Sequence, residues 1–105
     1  MGWVMNDQSP RERRFGRPRF GSRRDHLLAE IDALAIELEE AGEATSSSRA
    51  PISARANYLR AREAHHRAAI VWMGATNPHE LTAVSEALRQ CRTALESSRA
   101  VLRAD

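Results

Sequence analysis

Glu63 and His66 stand three residues apart in the run EAHH. Residues at i and i+3 of a helix share a face, so this spacing aims a carboxylate and an imidazole at one point, an arrangement that di-iron helical bundles use twice over. Here it occurs once. His65 and His66 lie about 100° apart around a helix and do not chelate one ion together. His79 falls in a first helical turn, where it is solvated. The single cysteine, Cys91, sits among leucines on an apolar seam, the setting of a small buried hydrophobe rather than a thiolate nucleophile. No Gly-rich phosphate loop is present. Glu63 is therefore read as half of a buried polar pair with an arginine such as Arg89 or Arg92, setting helix register. Catalytic residues, metal and cofactor are all expected to be none, and the protein is read as a non-enzyme.

The other chemistry-bearing stretch is RERRFGRPRFGSRR, residues 11–24, with seven arginines and two phenylalanines. Gly16 to Arg19, GRPR, resembles the core of an AT-hook, whose arginines enter a narrow A·T minor groove. Phe15 stands where that motif carries another arginine, so the match is incomplete. Phe and Arg interleaved also suit stacking on unpaired bases with phosphate contacts. They suit equally an arm whose rings dock in an apolar groove while its arginines lie on acidic helical surface, its own or a partner's. The candidate binding residues are Arg11, Arg13, Arg14, Phe15, Arg17, Arg19, Phe20, Arg23 and Arg24, with docking on protein preferred and nucleic-acid binding the alternative.

Helical periodicity supplies the elements that would position these groups. Leu27, Ile31, Leu34 and Leu38 are spaced 4, 3, 4, one apolar seam of a helix over 25–41, widened by Leu28 and Ala35 and ended by Gly42. The Ser-rich connector 42–50 leads to Pro51, which favours the first position of a second helix over 51–74. Its seam is expected at Ile52, Ala56, Leu59, Glu63, His66, Ile70 and Met73, with Tyr58, Ala61, His65, Ala68 and Trp72 as an adjacent stripe. Asn77, Pro78 and Glu80 form the start signal of a third helix over 78–103, in the pattern of a capping box. That helix carries Leu81, Val84, Leu88, Cys91, Leu95, Ser98 and Leu102 on one line, which places Cys91 near Leu59 across the hairpin.

Trp72-Met73-Gly74, at the turn of this hairpin, resembles the Trp-x-Gly family of small helical hairpins exported by type VII secretion. The resemblance covers three residues and a topology. That family turns near its middle and carries a Tyr followed four positions later by an acid; here the turn lies at 72, and Tyr58 is followed by Arg62. Trp72 closing a bundle end and Gly74 ending a helix account for the same residues.

The expected fold is all-α: an antiparallel hairpin of helices two and three, completed by the first helix into a three-helix bundle, behind a basic extended arm at 1–24. A chain of 105 residues fits one small domain. Charge runs in blocks, +5 over 1–24, −7 over 25–43, +4 over 44–76 and zero over 77–105. Seven acids beside the arm oppose a polyanion and compete for its arginines. No apolar run is long enough for a membrane span, and no secretion signal follows the first arginines. A lone cysteine fits a reducing compartment, the cytoplasm by default. Met5 is an alternative start to Met1. The function expected is a helical protein–protein interaction or assembly module, binding itself or a partner; the alternative is a small nucleic-acid-binding protein using residues 11–24.

Overall fold

The computed structural model describes residues 19–104. They form three helices, α1 (Phe20–Ala44), α2 (Ile52–Gly74) and α3 (Pro78–Ala104), and no strand is present among them. No helix among the described residues is long and apolar enough to cross a membrane. The hairpin of α2 and α3 packs most closely, and α1 lies against both. Two polar contacts fix the hairpin's direction. Ser98 Oγ donates to the Ala54 carbonyl at 2.9 Å, and Arg67 donates to Gln90 Oε1 at 2.8 Å. Residue 31 is level with 65 and residue 45 with 55, through the bonds of His65 Nε2 with the Ile31 carbonyl and of Arg55 to the Thr45 carbonyl. The helices therefore run up, down, up.

The first helix is longer than the periodicity predicts at both ends. It begins at Phe20 rather than 25, through Gly21 and Ser22, which are weak helix formers. Tertiary partners outweigh that weakness: Phe20 packs against the core, and Arg23 and Arg24 both find acceptors on the hairpin. The predicted extended arm thus loses its last five residues to α1. At the other end the helix passes through Gly42. A Cβ there would stand 2.9 Å from Tyr58 Oη and 3.2 Å from Cζ, so this glycine permits close approach of α2 rather than ending the helix. Thr45 closes it, its hydroxyl donating to the Ala41 carbonyl at 2.8 Å.

Pro51 is the N-cap of α2 rather than its first helical residue, so the helix begins one position later than predicted, at Ile52. The start of α3 is close to expectation. Asn77 Oδ1 accepts the Glu80 backbone N–H at 2.9 Å, as an N-cap should. The reciprocal arm of the box is displaced by one residue, since Glu80 accepts from the Thr76 backbone N–H at 2.7 Å. That bond holds the Glu80 carboxyl below the ordinary carboxylate range.

The core corrects the reading of α2. Seams on α1 (Leu27, Ile31, Leu34, Leu38) and α3 (Leu81, Val84, Leu88, Cys91, Leu95, Ser98) are buried as predicted, save that Leu102, at the last turn of α3, is only half-buried. On α2, however, the buried line is Ala54, Asn57, Ala61, Ala64 and Ala68, while Ile52, Leu59, Ile70 and Met73 face outward. Interaxial distance is set by the side chains at the contact. The leucines of α3 fill the space between the helices, so the facing surface must be small, and alanine supplies it. The Ser98 bond to a backbone carbonyl of α2 requires that closeness. Cys91 accordingly faces the alanine line and not Leu59, and Glu63 is exposed rather than buried in a register pair.

Candidate functional site

The outward line of α2 is the most unusual surface of the bundle. Ile52, Leu59, His66 and Met73 recur at intervals of seven, and Ala56, Glu63 and Ile70 form a second line of the same period beside them. Together they make one strip with the 4, 3 spacing of a coiled-coil seam, about 32 Å long over its 21-residue rise. Ile52 is 88% exposed, Met73 69%, Ile70 53% and Leu59 42%. Scattered exposed apolar residues are ordinary, but four branched or long apolar side chains in register on one face mark an interaction surface. A shallow groove of about 650 Å³ follows it, lined by Leu59, Arg62, Glu63, His65, His66 and Ala69. The strip is bordered by arginines, Arg55 and Arg62 toward α1, Arg60 and Arg67 toward α3.

Beside it, α1 turns an acidic strip to the outside: Asp25, Asp32, Glu39 and Glu43 are exposed, together with Ile36 at 62%. The inner acids of α1 are already matched across the bundle. Arg92 pairs with Glu30 at 3.0 Å and Arg99 with Glu37 at 2.8 Å. Among the described residues, none of the ion pairs involves an arginine of α2. A second groove of about 430 Å³ lies between α2 and α3, lined by Arg60, Glu63 and Arg67 from α2 and by Arg89 from α3. Arg67 reaches Gln90 there, and Arg89 pairs with Glu86.

The arm is divided. Arg11, Arg13, Arg14, Phe15 and Arg17 lie outside the described residues, and Arg19 is exposed just before α1. Phe20, Arg23 and Arg24 belong to the bundle. Arg24 Nη1 donates to the carbonyls of Trp72 (2.7 Å) and Ala75 (3.0 Å), its guanidinium lies 4.0 Å above the Trp72 ring, and Trp72 Nε1 donates back to the Arg24 carbonyl at 2.8 Å. Arg23 reaches the Pro78 carbonyl and the Thr82 hydroxyl at 3.4 and 3.3 Å. Arg24 therefore satisfies an end carbonyl of α2 and one in the turn after it, while Arg23 reaches the first turn of α3; neither is spent on the acidic face of α1. Sequence reasoning counted Trp72 as a bundle-closing residue and Arg24 as a ligand-binding one; their pairing depends on a register no local pattern reveals. Arg24→Ala strips one carbonyl cluster of its charged donor and the indole of its stacking partner, and should cost about 1 to 2 kcal/mol in urea unfolding. Arg24→Lys, which cannot fork or stack in the same way, should recover less than half of that.

Glu63 and His66 sit together in the middle of the exposed strip. Among the described residues, no group of three or more His, Cys, Asp or Glu side chains is placed to hold a metal ion. The Cys91 thiol is fully buried, and burial pushes its pKa up from 9.0 to about 11. A thiol whose folded pKa is raised stabilises the fold fully below pH 9, and that contribution fades as pH rises toward 11, because the unfolded chain ionises first. The stability gap between the parent and Cys91→Ala should therefore narrow by about 2 kcal/mol between pH 8 and 10.5. A constant gap in urea melts would contradict it. No family model, curated protein or solved structure matches the chain.

Proposed function

We propose that this protein is a non-enzymatic helical interaction module that binds another protein surface through the outer seam of α2. One observation carries the reading: α2 closes its own bundle with alanine and presents its large apolar residues, at heptad spacing, to the outside. A helix apolar on opposite faces needs two partners, and the described residues supply one. Arginines along both borders add steering and select an acidic partner surface.

The second reading is binding of nucleic acid through residues 11–24, and the three-arginine groove between α2 and α3 favours it. Weighing against it, Arg23 and Arg24 are engaged on the protein's own carbonyls, and the acidic strip of α1 begins one residue later. Capture experiments from lysate of the source cells separate the two. A parent bait should retain protein that a Leu59→Arg/Ile70→Arg bait loses, while deletion of 1–18 leaves capture intact. Retention by both baits, or loss on the deletion together with a 260 nm absorbance signal, would favour the nucleic-acid reading instead.

A further inference from the structure

We propose that the outer seam of α2 receives a second copy of this chain, in a two-fold dimer that lays each copy's α1 across the other's α2. This rests on the interaction reading above and names its partner. The outer strip of α1, Asp25, Ala29, Asp32, Ile36, Glu39 and Glu43, is spaced 4, 3, 4, 3, 4, and all six residues are exposed. It matches the spacing of the α2 strip, and its carboxylates are opposite in sign to the arginines that border that strip. The two strips lie on the outer sides of adjoining helices, where neither covers the other; a second copy can cover both.

Symmetry then allows two arrangements, because the axis of an isologous dimer lies in the interface. An axis perpendicular to the helices stacks α1 on α1 and α2 on α2, setting acids on acids and arginines on arginines. An axis parallel to them stacks α1 on the partner's α2 and leaves every residue at its own height along the bundle. Heights follow from the contacts within one chain, in which residue 24 is level with 72, 31 with 65 and 45 with 55. Asp32 is therefore level with Ala64, Glu39 with Leu59 and Glu43 within two residues of Arg55. Across the dimer, Arg62 stands within a helical turn of both the partner's Asp32 and the partner's Glu39, and Arg55 faces the partner's Glu43. Ile36 comes between Leu59 and Arg62. Charge selects this parallel-axis form.

Size sets the expected strength. Two neighbouring helices over about 30 Å of length and about 20 Å of width present on the order of 600 Å² per copy, somewhat below the roughly 800 Å² of a standard interface. Such a dimer should dissociate on dilution through the micromolar range. Light scattering over a dilution series of the full chain tests it, with circular dichroism to confirm that each variant is folded. Parent protein should run as a dimer when concentrated, and Leu59→Glu/Ile70→Glu should run as a monomer. Arg62→Glu should weaken association by about tenfold or more, since four attractive contacts per dimer become repulsive, and Asp32→Arg combined with Arg62→Glu should restore it in part. Raising salt should loosen the parent dimer.

Each contrary outcome overturns the proposal, and each says something different about the reading beneath it. A parent that stays monomeric at every concentration removes the second copy as partner, while seam-dependent capture of another protein would leave the interaction module standing. A dimer tightened by salt and by Arg62→Glu is the perpendicular arrangement. A dimer indifferent to Leu59→Glu/Ile70→Glu uses another face, and both readings fail together.

Discussion

Leu88→Ala should lower the unfolding free energy by about 3 to 4 kcal/mol, a large part of what a domain of this size possesses. Leu88 is completely buried at the centre of α3, and the core around it includes Cys91, Val84 and the alanine line of α2. Alanines cannot swing into the vacated space, because their side chains have no rotamers to change. The backbones of α2 and α3 are already drawn together, with Ser98 bonded to the Ala54 carbonyl, so the helices cannot collapse further without breaking that bond. The cavity should therefore persist and the cost fall in the upper part of the usual range. Urea unfolding followed by circular dichroism checks it; a loss under about 1 kcal/mol would mean that the α3 seam is packed more loosely than the structure describes.

Ala61→Leu should be as damaging, by the opposite mechanism. Ala61 is completely buried at the middle of the α2 line, facing α3. Three further carbon atoms must either take strained rotamers or push the hairpin apart, at a cost of about 3 kcal/mol or more where no space adjoins. The comparison that gives this its force is Leu59→Ala, two residues away. Leu59 is on the outer strip, so its truncation should change monomer stability by less than about 0.5 kcal/mol. Enlarging an alanine thus destabilises while shrinking a leucine does not, the reverse of the usual ranking of side-chain sizes. A stable Ala61→Leu beside an unstable Leu59→Ala would restore the seam that periodicity alone predicts for α2.

That inversion also explains where the sequence was legible and where it was not. On α1 and α3 the large apolar residues occupy one face only, so the 3 and 4 spacing of Leu27 to Leu38 and of Leu81 to Ser98 leads straight to the core. Two lines of equal period compete on α2, one large and one small. Hydrophobicity favours Ile52, Leu59, Ile70 and Met73, yet the geometry of a hairpin whose other helix already supplies leucines favours Ala54, Ala61, Ala64 and Ala68. Choosing between them requires the volume on the facing helix, a property of the pair. The same limit governs Gly42, read locally as a stop and used to admit Tyr58, and Arg24, read as docking on acidic helical surface or gripping nucleic acid and used to close the bundle over Trp72. Of the candidate binding residues, Arg11 to Arg17 lie outside the described residues, and the outer strip of α2 entered the reading as core.

The central claim is that α2 builds the fold with one face and offers the other. Its most direct test is the melting temperature and solution mass of Leu59→Glu/Ile70→Glu, measured together with those of the parent. Two carboxylates on an exposed strip bordered by arginines should leave the monomer melting within a few degrees of the parent at low concentration, while the mass at high concentration, or the complex with a captured partner, falls to that of a single chain. Unfolding of this variant would contradict the account, because it would show that Leu59 and Ile70 face the core.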